Sequence, residues 1–384
     1  MKAKSIKGNS TEEIQKALSE SLADGFKPTL AFVFCSIQQD ITAISSMLKA
    51  HDITIYGNTT AGEFKDNYQG EGSVVCLLLE INPAWFTLLF EIIGDRNVRD
   101  VARQMGADAL TKFNKPAFIL TANGASENGE TMDGESIVRG IEDSVGVDVS
   151  IIGGTAGDDF TLTGSLVFTN GLSSRKAIMA LVLDEDKVAI NGLAISGWKP
   201  VGTTKTITKS EGGWIYTIDD KPALEIFLNY MGRISLEDES PDPFYHIGFN
   251  YPLQIQKANG TTAMCSPIMF NKAEGSLLCE YTLPTGTRFR FSLPPDFDII
   301  EEVITKSKEL KNEKQVDADA LLIFSCAGRL TTLGPMANEE VEGLKDIWNV
   351  PMAGFYSYGE FGRATNARHE FHSTTISWAT LKEK

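Results

Sequence analysis

The sequence predicts an α/β protein made of three repeated β-α-β-loop-β units, with mixed sheets and a β-rich antiparallel segment in a second domain. Three observations carry this. A short pattern recurs as Thr-Ala-Gly-Glu-Phe at Thr60–Phe64, Thr-Ala-Gly-Asp-Asp at Thr155–Asp159 and Ser-Tyr-Gly-Glu-Phe at Ser357–Phe361. Each copy follows a continuous apolar run of strand length (Ala31–Cys35, Ala117–Thr121, Leu321–Ser325) and then a helical stretch, as a strand buried on both faces with a right-handed crossover would. A second short strand ends in Gly57, in Gly153 and Gly154, or in Gly354, and a further apolar run follows the loop: Val74–Leu79, Ile178–Leu183 or Thr374–Leu381. A period of roughly 60 to 80 residues is too long for a solenoid and reads as duplicated half-domains.

In chain order, Ser10 and Glu13 make a capping box for a first helix whose apolar face is Ile14, Ala17, Leu18 and Leu22. Ile41, Ile44 and Leu48 mark the next helix and Ile53–Tyr56 the return strand. The apolar runs at Val74–Leu79 and Ile178–Leu183 pass through polar breaks, Glu80–Pro83 and Asp184–Lys187, into Trp85–Ile92 and Val188–Ser196, as hairpins would. Units at 30–92 and 117–197 are therefore expected, with 320–381 matching their core. Between the first two, Val98, Val101, Ala102 and Met105 line a helix; the second unit's own helix carries Ile137, Val138 and Ile141. Asp220 and Pro222 signal a helix start leading through Leu224 to Tyr230. Ser235–Pro243 reads as a linker, His246–Leu293 as short antiparallel strands between Gly and Pro turns, and Phe297, Ile300, Val303 and Ile304 as a helix.

The length of 384 residues fits two domains, taken as 1–232 and 233–384. A hydrophobic content of 42% with 22% charged residues is ordinary for a globular chain. The net charge of −16 argues against nucleic acid and anionic membranes, because phosphate binding needs clustered Lys and Arg. No apolar run approaches the roughly 20 residues of a membrane helix, and Met1–Lys7 is basic without an apolar core, so a folded cytoplasmic protein is expected. Five cysteines without a C-x-x-C spacing read as reduced, buried thiols rather than a zinc site.

Candidate ligand residues gather at the ends of strands, where loops supply donors in α/β units. Glu63, Asp158 and Glu360 lie on the repeated loops, with Tyr358 and Gly359 beside the third, and their carboxylates suit a cation, an ammonium group or a backbone N–H. Ser325-Cys326-Ala327-Gly328-Arg329 closes a strand of the third unit; Arg329 suits a ligand carboxylate, or else a salt bridge to Glu339, Glu340 or Glu360. Cys326 as a nucleophile would need His372 or His369 as base. His369 and His372 have a spacing that points two imidazoles to opposite faces of a strand, against a metal pair. Asn123–Glu130 resembles a phosphate loop in composition but has no Lys. Trp198 and Trp214 sit beside Gly turns, where they either stack on a ligand or pack between strands.

The segments Ile152-Gly153-Gly154-Thr155-Ala156-Gly157-Asp158, Tyr251-Pro252-Leu253, Cys326–Arg329, Gly354–Glu360 and Phe371–Thr375 resemble those of the FIST proteins, sensory modules with N-terminal and C-terminal domains. The likeness runs from about Pro28 to Leu381. It implies binding of a small ligand such as an amino acid, no catalysis, no required cofactor, and output through a signalling partner. On this reading Arg329 takes the ligand carboxylate, Glu360 or Glu63 its ammonium group, and the backbone near Gly328 and Gly359 its other oxygens. One branch of the family is described as binding haem, sensing nitric oxide and controlling a histidine kinase; a cyclic di-GMP enzyme (diguanylate cyclase or phosphodiesterase) is the other partner class. In that alternative His372 is the first choice of iron ligand, His246 the second and His51 the last. A Cys326-dependent enzyme is the remaining alternative.

Overall fold

In the computed structural model the first unit runs β1 (Lys2–Gly8), α1 (Thr11–Leu22), β2 (Leu30–Cys35), α2 (Ile41–Lys49), β3 (Thr54–Thr59), a hairpin of β4 (Glu63–Lys65) and β5 (Tyr68–Gly70), and β6 (Val74–Glu80). The second repeats the order: β7 (Phe86–Ile92), α3 (Val98–Lys112), β8 (Pro116–Ala122), α4 (Gly134–Val145), β9 (Ile151–Gly154), the hairpin β10 (Val167–Thr169) and β11 (Leu172–Ser174), and β12 (Ala177–Asp184). The structure describes all residues except 127–130, 162, 233–243, 258–259, 294–295, 297 and 314, and not the side chains of 244–246. The Ser235–Pro243 linker, His246 as an iron ligand and the second half of the Asn123–Glu130 loop therefore lie outside the described residues.

The third unit is interrupted. It begins with β13 (Val188–Asn191) and β14 (Ala194–Ile195) and then yields to an insert of β15 (Pro200–Glu211), β16 (Trp214–Ile218), β17 (Lys221–Pro222), α5 (Ala223–Tyr230), α6 (Phe244–Asn250), β18 (Leu253–Gln256), β19 (Thr262–Cys265), β20 (Pro267–Asn271), β21 (Ser276–Cys279) and β22 (Arg288–Ser292). It resumes with α7 (Asp298–Glu313), β23 (Ala320–Cys326), α8 (Ala327–Leu333), α9 (Ala337–Trp348), β24 (Met352–Ser357), the hairpin β25 (Glu360–Gly362) and β26 (Glu370–His372), and β27 (Ile376–Glu383).

The parallel pairs are β2 with β3, β8 with β9 and β23 with β24, and each first strand also pairs antiparallel with the last strand of its unit. The alternation of side chains explains the continuous apolar runs. Phe32 and Phe34, Ile119, and Leu322 and Phe324 point into one interior shared by all three sheets, where Phe34 lies 4.7 Å from Phe355, centroid to centroid. Their neighbours Val33, Leu120 and Ile323 face outward beneath helices: Ile14 and Ile44, Val101 and Ile137, and Val303 and Leu344. Ser10 caps α1, while Glu13 reaches back to the N–H of Asn9 instead of Ser10.

The expected hairpins after Val74–Leu79 and Ile178–Leu183 do not form. β7 pairs along its length with β12 of the second unit, and β13 pairs with β27 of the third, so each is the edge strand of the following unit, as β1 is of the first. Polar breaks mark a turn but not which sheet the chain rejoins. Pro222, not Asp220, stands at the start of α5, and no side chain caps it.

The hairpins are exchanged in a ring. That of the first unit pairs with β24 of the third, that of the third with β9 of the second, and that of the second with β3 of the first. In each a buried phenylalanine lies opposite a glycine of the receiving strand: Phe64 opposite Gly354, Phe361 opposite Gly153, Phe168 opposite Gly57. A methyl group at Gly57 would overlap the Phe168 ring. In the second unit Val167 occupies the ladder place held by Glu63 and Glu360 in the others, so Asp158 lies on an added stretch of loop before the hairpin.

The insert's strands form one curled antiparallel sheet in the order β19-β18-β22-β15-β16-β21-β20. Its two ends are consecutive in the chain through Ser266, and strands from both sides of residue 232 share it. Phe168→Ala should cost about 3–5 kcal/mol in urea unfolding, because it empties the seat between two units. Leu172→Ala, exposed on the same hairpin, should stay within about 0.5 kcal/mol.

Candidate functional site

The loops after β3, β9 and β24 meet. Ala61 N–H donates to Tyr356 O (3.0 Å), Gly157 N–H to Thr59 O (2.9 Å) and Thr155 N–H to Gly359 O (2.8 Å), so backbone bonds join every pair of units. Thr60 donates its hydroxyl to Glu63, which also accepts from Ser73 N–H (3.1 Å) and Oγ (2.8 Å). Ser357 Oγ likewise donates to Glu360 (2.7 Å), whose other oxygen accepts from Thr375 N–H (3.3 Å). Asp158 instead accepts from Gly164 N–H (2.9 Å) and the Tyr358 hydroxyl (2.6 Å). The repeated acid thus ties down the local backbone in all three loops. Burial pushes Glu63 up to about 7 and Glu360 well above the usual carboxylate range, against the hydrogen bonds that favour their charge.

Asn123 closes its strand end: its amide donates to Ser165 O (2.7 Å) and Ser174 O (3.2 Å) and accepts from Ala177 N–H (2.7 Å). Arg329 is fully buried and faces inward. Its Nε donates to Glu340 (3.0 Å), an Nη to the same carboxylate, and the other Nη to Ser196 O (2.6 Å) and Thr374 O (3.0 Å). The Trp198 ring lies 5.2 Å from the guanidinium carbon, so Trp198 packs on this ion pair. Of the two sequence readings of Arg329, the geometry supplies the salt bridge, to Glu340. The carboxylate grip is corrected accordingly.

A cavity of about 160 Å³ lies between the second and third units beneath the insert. Gly124 and Ala125 line it from the end of β8, Cys326, Ala327 and Gly328 from the end of β23, and Ser357 and Tyr358 from the third loop. The insert contributes Phe249, Ile268, Met269, Leu278 and Glu280, and Phe160 follows the second loop. Of the sequence candidates, Cys326, Gly328 and Tyr358 meet here, with Glu360 held behind Ser357. Glu63, Asp158, Asn123, Gly359 and Arg329 frame the junction and do not line the cavity.

Glu280 and Phe249 escaped the sequence reading. The one signal for Glu280 is an acid ending the apolar run Leu277-Leu278-Cys279. It is nearly buried, accepts from Ser266 N–H (2.9 Å) and lies beside Ser373, whose Oγ is 2.9 Å from that of Ser266. Burial pushes it up to about 7. Backbone strain concentrates nearby: Asp159 (φ 56°), Phe160 (φ 59°) and the β-branched Thr374 (φ 50°) are left-handed. Phe160 is held there by its N–H to the Tyr358 hydroxyl (2.9 Å), which places its ring on the cavity wall.

Burial and the carboxyls of Glu360 and Glu280 push the Cys326 thiol well up, the reverse of what a nucleophile needs. His372 and His369 are buried, which lowers them to about 4 and 3 and keeps both neutral. An iron would reach His372 only by displacing packed core, since 6% of the residue is exposed. Among the described residues no cluster of His, Cys, Asp and Glu is placed to hold a metal, and no helix is long and apolar enough to cross a membrane.

The sequence model of the FIST N domain matches residues 29–221, and that of the FIST C domain matches residues 223–363. No curated protein matches the chain.

Arg329→Ala should destabilise the fold by about 3–5 kcal/mol, because it strands the Glu340 carboxylate, whereas Arg329→Met with Glu340→Leu should recover most of that loss; urea unfolding of both variants checks this. Glu280 has a folded pKa above its unfolded value, so its contribution is complete below pH 4.5 and is lost as pH rises through about 7. Glu280→Gln should therefore gain stability relative to the parent with rising pH across this window, on the order of 1 kcal/mol per pH unit, in unfolding series from pH 4 to 8.

Proposed function

Because the chain belongs to the FIST family, whose N and C domains are sensory modules of signal transduction, we propose that it is a cytoplasmic sensor that binds a small ligand in the cavity between its second and third units. The cavity itself carries the reading. It lies at the carboxyl ends of first strands, the usual place for ligands in α/β units, and its wall is mostly apolar with a few convergent polar groups. At about 160 Å³ it is smaller than the sites of drug-sized ligands, which fits a metabolite of amino-acid size. The five buried free cysteines accord with a reducing compartment.

Three bodies of chain line the cavity, so a ligand that contacts all of them shifts how the insert sits on the repeated units. Differential contact of that kind is what a sensor needs. Its output passes to a partner, a histidine kinase or a diguanylate cyclase or phosphodiesterase in this proposal. Cys326, Gly328, Tyr358 and Glu280 are the binding residues, with Glu360 and Arg329 supporting them from behind.

Protein purified under native conditions should release a small molecule on denaturation, detected by mass spectrometry. Ala125→Leu, which fills the cavity from the β8 side, should lower the retained amount at least about tenfold while its melting curve stays cooperative. Equal retention by the variant would place the ligand elsewhere.

A further inference from the structure

Resting on that ligand-site reading, we propose that the cavity takes a ligand with a small apolar body and a cationic amine end, and rejects a free carboxylate. The lining carries the argument. Among the described residues it includes one carboxyl group, Glu280, and three aromatic rings, Phe160, Phe249 and Tyr358, with no Lys, Arg or His. A carboxyl group together with aromatic faces is the chemistry that receives an ammonium group, through a charged hydrogen bond and cation–π attraction.

Among the described residues that line it, no cationic side chain is present to pair with a carboxylate, and the start of α8, which no side chain caps, offers backbone N–H groups alone. Arg329 follows Gly328 in the chain, yet its donors go to Glu340, Ser196 O and Thr374 O, away from the cavity. The N–H of Gly124 is taken by Ala156 O (3.1 Å) and Ser165 Oγ (3.0 Å). A second buried carboxyl group, Glu360, stands behind Ser357 and accepts its hydroxyl, so it adds no positive charge for an anion to pair with. A buried anion without a partner is strongly disfavoured, so a zwitterionic amino acid loses at one end what it gains at the other. The apolar floor of Ile268, Met269 and Leu278 accommodates a branched aliphatic body.

Three probes that share an isobutyl group separate the terms: isopentylamine, leucine and isovalerate, each titrated calorimetrically into the full chain stripped of retained ligand. Isopentylamine should bind, leucine at least about tenfold more weakly, and isovalerate not at all. Glu280→Gln should weaken the amine at least about tenfold while the melting curve keeps its shape, and Phe249→Leu should weaken it without removing any charge. Leucine binding as tightly as the amine, or an unchanged affinity in Glu280→Gln, would overturn the inference and leave the ligand site standing. Binding of none of the three also overturns it. The ligand-site reading falls with it only if natively purified protein holds no molecule that Ala125→Leu displaces.

Discussion

Three sheets share one apolar interior, and none of them is complete without a hairpin from another unit. The constraint is local and steric: Phe64, Phe168 and Phe361 each lie across from a glycine, and at Gly57 and Gly354 a larger residue would overlap the incoming ring. Because the exchange runs in a closed ring, the three strand-end loops must converge, and their backbones bond to one another in turn. The acids that mark these loops serve the same closure. Glu63 and Glu360 are buried carboxyls whose cost is offset by a hydroxyl three residues before them and an N–H beyond.

Near-symmetry places a potential site at every interface, and the insert singles out one. It leaves the chain after Ser196, whose carbonyl is held by Arg329, and covers the junction of the second and third units with Phe249, Ile268, Met269 and Glu280. Arg329, Glu340 and Trp198 therefore position the roof of the cavity without lining it. The strained backbone at Phe160 and Thr374 belongs to the same region, where the hydrogen bonds of Tyr358 and Arg329 hold it.

Local features were readable from the sequence and pairings between distant segments were not. The buried strands showed as unbroken apolar runs because each is covered on both faces, and the helix faces showed as periodicity. The edge strands β7 and β13 were assigned to the preceding unit because a polar break looks the same whether the chain folds back or crosses to a new sheet. Cys326, Gly328 and Tyr358 could be named from strand-end position alone. Arg329 at the same strand end kept two readings open, since nothing local distinguishes a ligand carboxylate from Glu340 on the next helix. Glu280 and Phe249 reach the site through the fold of the insert, and only the odd placement of an acid at the end of an apolar strand hinted at the first.

The central claim is that the cavity between the second and third units holds the ligand under the insert. Hydrogen exchange compared between natively purified protein and the same protein refolded without ligand tests this directly. The account predicts that ligand slows exchange together in 124–125, 264–280, 326–328 and 357–358, four segments that meet at this cavity. Protection confined to the open cleft lined by Lys257, Thr261 and Arg288, with no change at Cys326 or Glu280, would contradict it.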